Sequence, residues 1–525
     1  MEVIRKKGVE KVEDRNRRDK WTAILDLAVL PMLCLSLFLW IIGSSLTIAA
    51  PQPGGDLVVA VPIEPDTFDP HKAVAAATKE IDFNIYQGLV SYDPEGRIIP
   101  CLAESWDISE DGRVYTFRLR EGVFFHNGRA LTCDDVVSSL ERIRDDATGY
   151  PLSWHKNIHK LAIVDGKAIR IELKEPYAPF LSELADAAII PPEAVPTIAT
   201  KPVGTGPFRL VEWSTGQHIR LVRFDQYWEQ GLPYLDSVTF RIIPDPSTAI
   251  LNLKVDAVHV IPRLSPDVAW EVEAASDLKL LQGPMNLVQL MALNLDRKPF
   301  TDKRIRQAIN YATDKDLLIE GAAWGFGSKL GSNMSPVMEA YYTDLSEYYE
   351  YDPARAKALI TEAGYPHGFQ VTLSLPASYD LHVKTGEMVA AMLTEVGIRA
   401  NIELVEWGTW LERIYTKRDY DMTIVGFTGK LDPHTVLSRF ESTYARNFSN
   451  FRHKEYDTLI QEGLRSTDVS RRQGIYHRCQ EILAEEAVAV YIMDPNDLVA
   501  MRENVMGWRY YPKYVDDMRY VYFEE

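Results

Sequence analysis

The stretch that decides the fold is residues 105–143, which read SWDISEDGRVYTFRLREGVFFHNGRALTCDDVVSSLERI. Residues 110–112, Glu-Asp-Gly, have the composition of a tight turn that ends in a glycine at positive φ. After this turn, Tyr115, Phe117 and Leu119 alternate with polar residues, which is the period of a strand with one buried face. The pattern therefore predicts a β-hairpin.

A second turn and a helix follow the predicted hairpin. Residues 127–128, Asn-Gly, mark the turn. Thr132 stands three residues before Asp135, an arrangement that resembles a capping box at a helix start. Apolar residues then recur at the spacing of one helix face: Val136, Leu140 and Ile143. The whole stretch predicts a compact α/β unit of hairpin, turn and helix.

The composition excludes several classes of protein. The chain has 525 residues, a formal net charge of −18 and 46% hydrophobic residues, which is ordinary for a large globular protein. Its acidic balance argues against nucleic-acid binding. Four cysteines in this length do not make a disulfide scaffold.

Catalytic and cofactor motifs give little signal. The sequence has no Gly-x-Ser-x-Gly elbow, no His-Glu-x-x-His pair and no Cys-x-x-Cys pair. His155 and His159 could share a helix face and bind a metal, but such a lone pair is more often surface histidine. The glycine-rich segment 203–206 lacks the Lys-Ser/Thr of a phosphate loop. We therefore assign no catalytic residue, no metal and no cofactor.

The N-terminus predicts a membrane-directed segment. Residues 1–20 carry eight Lys/Arg and five Asp/Glu, and residues 21–50 are mostly apolar with an uncharged run over residues 27–43. The basic flank predicts a cytoplasmic tail, with the rest of the chain on the outer side of the inner membrane. The apolar segment is either an uncleaved anchor, which we favour, or a signal cleaved after Ala49.

Several motifs of the chain resemble one family. The hairpin motif Ser-Glu-Asp-Gly-x-x-Tyr-Thr-Phe-x-Leu-Arg is joined by VGTGPFRLVEW at residues 203–213 and by LMALNLDRKPFTDKRIRQAINYATDKDLLIEGAAWGFG at residues 290–327. Together they resemble family 5 of the bacterial extracellular solute-binding proteins. This family comprises the dipeptide-, oligopeptide- and nickel-binding receptors of ABC importers. The matching segments span residues 54 to about 508.

The resemblance implies a fold and a domain order. We expect an α/β, two-lobed periplasmic-binding-protein type II fold with an extra subdomain, in which the ligand sits between lobes that close by a hinge. The expected parts are a cytoplasmic tail (1–20), an anchor or signal segment (21–50), a first lobe (51–92, 200–284 and 488–525), an inserted subdomain (93–199) and a second lobe (285–487).

The resemblance also implies a ligand site at residues 425–440, VGFTGKLDPHTVLSRF. Peptide-binding members have Trp-x-x-Asp here, and this Asp pairs with the free α-amino group of the ligand. In this chain the aromatic residue is Phe427, and Lys430 stands where the Asp is expected. The predicted ligand-binding residues are Phe427, Thr428, Lys430, Asp432 and Asn294.

The reversed charge at Lys430 leaves several alternatives open. A neutral, anionic or oligosaccharide-like ligand becomes more plausible than a peptide held by its amino group. Lys430 can also point to solvent, and a shift of register would put Asp432 in the amine-binding place. Cys101 and Cys133 can form a disulfide or stay as buried thiols.

The expected function is an extracytoplasmic substrate-binding protein of an ABC importer, not an enzyme. Its expected partners are a small solute (peptide-like, oligosaccharide-like or anionic), an ABC permease and, through residues 21–50, the membrane. We expect no nucleic-acid partner. Two alternatives remain, an accessory or structural subunit that keeps the fold without transport, and an enzyme on the same scaffold.

Overall fold

The structure, a computed structural model, describes residues 51–73, 75–428 and 430–524. The strands of these residues are β1 Asp56–Val61, β2 Val90–Tyr92, β3 Ile98–Pro100, β4 Ala103–Ile108, β5 Val114–Leu119, β6 Ile158–Val164, β7 Ala168–Leu173, β8 Phe208–Ser214, β9 His218–Arg223, β10 Ser237–Ile242, β11 Val260–Ile261, β12 Leu278–Pro284, β13 Leu287–Leu293, β14 Gly327–Lys329, β15 Phe369–Pro376, β16 Ile398–Val405, β17 Met422–Thr428, β18 Ala489–Arg502, β19 Val505–Met506 and β20 Tyr522–Phe523.

Helices alternate with these strands, as the mixed α/β prediction requires. They are α1 Ala76–Asp82, α2 Cys133–Arg144, α3 Phe180–Leu184, α4 Pro246–Lys254, α5 Ala269–Glu273, α6 Lys303–Tyr311, α7 Lys315–Ala322, α8 Pro353–Glu362, α9 Asp380–Glu395, α10 Trp407–Thr409, α11 Pro433–Leu437, α12 Lys454–Arg465 and α13 Val469–Glu485. Helix α10 runs into a π-helical segment, Trp410–Thr416.

One long strand, β18, joins the two halves of the main sheet. The sheet order is β16-β15-β17-β13-β18-β11-β1-β10-β9-β8, and β12 and β14 also pair with β18. The start of β18 pairs with β13, and its end pairs with β12 and β11. We call the half with β1 and β8–β12 the first lobe and the half with β13–β17 the second lobe. The predicted residue boundaries of the lobes stay a prediction.

Asp494 fixes the crossing of β18 between the lobes. Its carboxylate accepts hydrogen bonds from the Leu287 backbone N–H at 3.0 Å and from the Ser335 hydroxyl. Burial raises the pKa of Asp494 to about 6. Asn286, just before β13, is buried and has a φ of 55°, in the left-handed region. The crossing is therefore a specific polar junction between β13 and β18.

The predicted hairpin and helix are confirmed. Strands β4 and β5 pair antiparallel in a separate sheet of order β4-β5-β7-β6, and Gly112 in their turn has a φ of 67°. Helix α2 begins after Thr132, whose backbone N–H donates to the Asp135 carboxylate at 2.8 Å. Tyr115 and Phe117 are fully buried beneath α2 in the same hydrophobic cluster. This subdomain therefore has its own core.

Of the other sequence predictions, the structure confirms some and shows others to be wrong. The continuous apolar run at residues 57–61 predicts a buried strand, and β1 is such a strand, paired parallel with β10. The sequence over residues 407–415 predicts one helix, and the structure has instead the short α10 followed by the π-helical segment. Gly204 serves close packing, because a Cβ there would lie 2.0 Å from the Ile85 carbonyl oxygen. Cys101 and Cys133 are buried free thiols, so the disulfide alternative is wrong in this structure.

Two of the expected parts belong to the N-terminal 50 residues. The expected cytoplasmic tail, residues 1–20, and the expected anchor or signal segment, residues 21–50, lie outside the described residues. Among the helices of the described ranges, none combines the length and the apolar character that a bilayer crossing requires.

Candidate functional site

A cavity of about 300 Å³ lies where the two lobes face each other. Helix α1 and the turn after it contribute Lys79, Asp82 and Phe83 from the first lobe. The loop after β17 contributes Lys430 from the second lobe, and the C-terminal segment contributes Lys513. A site of this volume with a few polar groups among aromatic rings suits a small solute.

Hydrogen bonds to Asn84 hold the C-terminal wall of the cavity against the end of α1. The Asn84 amide donates to the Asp516 carbonyl at 2.8 Å, and its oxygen accepts from the Met518 N–H at 2.9 Å. Arg263 reinforces this attachment by pairing with Glu80 of α1 at 2.5 Å and with Asp516 at 3.1 Å. The position of Lys513 therefore depends on first-lobe contacts.

Three lysines give the cavity wall a positive character. Lys513 pairs with the Asp186 carboxylate, and its ammonium lies 4.8 Å from the Tyr92 ring centroid. Although burial opposes ionisation of Asp186, the charge of Lys513 holds the pKa of this carboxyl below its usual value. Among the described residues, no carboxylate lies within ion-pair distance of Lys79 or Lys430.

Lys430 is the most unusual of the three lysines. Burial lowers the pKa of its ammonium and the charge of Lys513 lowers it further, while the carboxylates of Asp186 and Glu183 raise it in part. The loop that carries it is anchored two residues later by Asp432. The Lys430 ammonium is thus desolvated at the cavity wall without an ion-pair partner among the residues described. Such a group gains stability when an anion enters.

Asp82 adds an unsatisfied acid to the same cavity. Its side chain is buried, and no described residue donates a hydrogen bond to its Oδ1 atom. Burial raises the pKa of Asp82 well above its usual value, and the nearby charges of Asp66 and Asp69 add to that rise. The cavity therefore contains both unpaired lysines and an unpaired carboxyl.

Two of the five predicted ligand residues line this cavity, namely Thr428 and Lys430. Phe427 lies outside the lining. Its ring packs 4.4 Å beneath the Arg439 guanidinium and edge-on against Phe448, with ring centroids 5.5 Å apart. The Phe427 side chain is thus held by packing within the second lobe.

Asp432 and Asn294 also lie outside the lining. Both Asp432 oxygens accept from Arg472, at 2.8 and 2.7 Å, and one of them caps α11 through the His434 N–H. Asn294 donates to the carbonyls of Arg418 and Tyr420, at 2.9 Å each. The hydrogen bonds of both side chains are thus made within the second lobe. A ligand-binding role for Asp432 and Asn294 stays a prediction.

Sequence reasoning missed Lys79, Asp82, Asp186 and Lys513. Lys79 and Asp82 are three residues apart, a spacing that places both on one face of α1. That spacing was the available signal for this pair. Lys513 and Asp186 are distant in the sequence, and no local pattern joins them.

The metal and phosphate motifs do not form sites in the described structure. His155 is buried against Trp154 and Tyr150, whereas His159 is exposed on β6, so the two do not share a helix face. In the described ranges, no group of three or more His, Cys, Asp or Glu side chains is arranged to hold a metal ion.

Comparison with known proteins gives consistent matches. A model of the family described as "Bacterial extracellular solute-binding proteins, family 5 Middle" matches residues 97–448. The dipeptide-binding protein of Escherichia coli (strain K12) is 30% identical over 504 residues, covering 88% of this chain and 94% of that protein. The glutathione-binding protein of Escherichia coli (strain K12) is 28% identical over 471 residues, covering 86% of this chain and 91% of that protein.

A solved structure extends the similarity to the fold. The ABC transporter-associated periplasmic binding protein of Helicobacter pylori, in complex with the peptide STSA, has 29% sequence identity to this chain. The match covers 90% of this chain and 99% of that one, with a TM-score of 0.74. The mixed α/β fold described above is thus shared over nearly the whole length of that binding protein.

Proposed function

Because this chain belongs to the bacterial extracellular solute-binding proteins of family 5, we propose that its cavity captures an anionic, peptide-like solute for an ABC permease. Members of this family are substrate-binding proteins of ABC importers rather than enzymes. The activity of the chain is therefore binding, with no bond made or broken.

The observation that carries the anionic assignment is the pair of unpaired lysines in the cavity wall, Lys79 and Lys430. Lys430 stands where the resemblance expects an Asp that pairs with a ligand amino group. A desolvated ammonium would repel that amino group and attract a carboxylate, a sulfonate or a phosphate. The charge of the second-lobe wall therefore favours an anion over a cation at this position.

The positions of the lysines also supply a reason for the lobes to close. Lys79 belongs to the first lobe and Lys430 to the second, so one anionic ligand contacting both would interact better with a closed protein than with an open one. A ligand shifts a conformational equilibrium only through such differential affinity. We propose that the permease recognises the form of the protein that has closed around the solute.

The peptide-like character of the solute rests on the relatives and on the size of the cavity. The two curated relatives named above are a dipeptide-binding and a glutathione-binding protein. A cavity of about 300 Å³ is at the lower end of the range for small-molecule sites. A short acidic peptide or a conjugate of similar size fits both facts. The cavity itself also favours a binding role over an accessory subunit that has lost its site.

The experiment is isothermal titration calorimetry of the full chain in detergent with three dipeptides, Glu-Glu, Ala-Ala and Lys-Lys. We expect Glu-Glu to bind most tightly. Lys430→Gln should weaken Glu-Glu binding by about tenfold or more, since it removes a charged hydrogen-bond donor from a desolvated wall. Lys160→Gln, at an exposed position on β6, is the matched control and should change nothing.

The same titration separates the proposal from its alternatives. Lys430→Asp should raise the affinity for Lys-Lys relative to Glu-Glu, because the variant restores an acid at the position. Tightest binding of Ala-Ala or Lys-Lys by the unmodified chain, with no effect of Lys430→Gln, would contradict the anionic assignment.

We also propose that residues 21–50 anchor the protein to the outer face of the inner membrane. The support is the uncharged run at residues 27–43 with the basic flank before it. The protein should stay in the membrane pellet after a sodium carbonate wash, with the intact mass of the whole chain. A released protein whose mass corresponds to a start at Pro51 or Ala50 would contradict the anchor.

A further inference from the structure

We infer that Asp82 is a cation-recognising residue of the same cavity, so that the solute carries an ammonium group together with its anionic groups. This inference deepens the proposed function and rests on it. The ammonium would be held by the first lobe, at the end of α1. The carboxylates of the solute would face Lys430 in the second lobe.

The first ground is that Asp82 lines the cavity without a partner. Its side chain is 6% exposed, and no described residue donates a hydrogen bond to its Oδ1 atom. Lys79 precedes it by one turn of α1, yet no ammonium or guanidinium among the described residues lies within ion-pair distance of the carboxyl. A buried polar group left without a partner is costly, and one that lines a cavity is open to completion by a ligand.

The second ground is the contrast with the other acid of the cavity. Asp186 is satisfied by Lys513, so it has no need of a ligand cation. Asp82 has no such lysine partner among the described residues. Of the acids in this wall, Asp82 is therefore the one whose chemistry a ligand can complete.

The third ground is the charge pattern around Asp82. Burial is the largest cause of the raised pKa of Asp82, the carboxylates of Asp66 and Asp69 raise it further, and the charge of Lys79 lowers it in part. A ligand ammonium beside Asp82 would favour the ionised carboxylate and form a charge-assisted hydrogen bond. A ligand with an ammonium at one end and carboxylates at the other thus matches the acid of α1 and the lysine of the β17 loop.

The test is isothermal titration calorimetry of the full chain with Glu-Glu and with N-acetyl-Glu-Glu, which differ by the free ammonium. The unmodified chain should bind Glu-Glu about tenfold or more tightly than the acetylated compound. Asp82→Asn should abolish that preference and leave the affinity for N-acetyl-Glu-Glu within about twofold. Asp107→Asn, an exposed aspartate on β4, is the matched control and should keep the preference.

The outcomes separate this inference from the function on which it depends. Equal binding of both compounds by the unmodified chain overturns the role of Asp82 and leaves the anionic assignment standing. A preference that survives Asp82→Asn overturns it as well. Binding of neither compound overturns the anionic peptide assignment and, with it, this inference.

A measurement without ligand guards against a variant that fails to fold. In urea unfolding of the ligand-free chain, Asp82→Asn should be at least as stable as the unmodified protein, because it removes a desolvated acid that has no partner. A marked loss of stability would assign Asp82 to the fold and overturn the inference.

Discussion

In the described part of the chain, buried charged groups are paired in the interior of the second lobe, whereas several in the cavity wall are not. Asp432 and Arg472, both 7% exposed, form a two-bond ion pair, and Asp432 also caps α11. In the cavity wall, Asp82 and Lys430 are also desolvated, yet neither has an ion-pair partner among the described residues. Asp432 and Arg472 neutralise each other within the fold, whereas Asp82 and Lys430 are available to pair with a ligand.

This difference shows how to separate structural from ligand-binding residues in this chain. A residue whose hydrogen bonds are all made inside one lobe should matter for stability and little for binding. A residue left unpaired between the lobes should matter for binding and little for stability.

Arg472→Ala should cause the largest loss of stability, about 3–5 kcal/mol, because it leaves Asp432 charged and buried without its partner. The measurement is urea unfolding of the full chain followed by tryptophan fluorescence. Arg471→Ala on the same helix is the control, since the Arg471–Glu462 pair is exposed and should contribute about 0–1 kcal/mol. Equal losses for the two variants would contradict the division.

Asn294→Ala should lower stability by about 2–3 kcal/mol and leave solute affinity unchanged. The variant removes the donors to the Arg418 and Tyr420 carbonyls and leaves the Asn450 amide without its acceptor. Unfolding and Glu-Glu titration should be measured on the same sample. A clear loss of affinity in protein that remains folded would place Asn294 at the ligand after all.

Asp494→Asn should change how stability depends on pH, by about 1–2 kcal/mol. The folded pKa of Asp494, about 6, lies above the unfolded value near 4, so the folded state binds the proton more tightly. The stability that this carboxyl contributes is therefore present at pH 4 and is lost as the pH rises towards 6 and beyond.

The asparagine variant cannot titrate, so the difference between the two unfolding curves should fall between pH 4.5 and 6.5 and stay flat above pH 7. A constant difference over that range would show that the junction of β13 and β18 is not where this proton binds.

Lys430→Gln should have the smallest effect on the ligand-free protein, a gain in stability of about 0.5–1 kcal/mol or no change. The variant removes a desolvated charge that lacks an ion-pair partner among the described residues, and such functional sites often cost stability. Thermal unfolding without ligand measures it. A loss as large as that of Arg472→Ala would mean that Lys430 holds the fold together.

Local patterns in the sequence predicted local structure well. The hairpin and α2 follow from alternation around Tyr115 and from the Thr132–Asp135 capping box, which act within a few residues. The π-helical segment was missed, because the periodicity of an apolar face does not distinguish a π-helix from an α-helix over so short a run. Resemblance, rather than periodicity, led to the β17 loop that carries Lys430.

The rest of the cavity could not be predicted, because its residues meet only through the tertiary fold. Lys513 reaches the wall through the docking of the C-terminal segment on Asn84, and Asp186 follows α3. The burial that leaves Asp82 unpaired is also a property of the assembled lobes. Asp432, in contrast, looked like a ligand residue from its position, yet Arg472 from a distant helix satisfies it.

Identification of the solute that co-purifies with the full chain distinguishes an anionic ligand from a neutral or cationic one. Native mass spectrometry of protein isolated from its native cells would give the mass of the bound compound, and denaturation would release it for identification. We expect an anionic compound, such as a short acidic peptide with a free ammonium, that is absent from Lys430→Gln. A neutral or cationic compound, retained equally by Lys430→Gln, would contradict it.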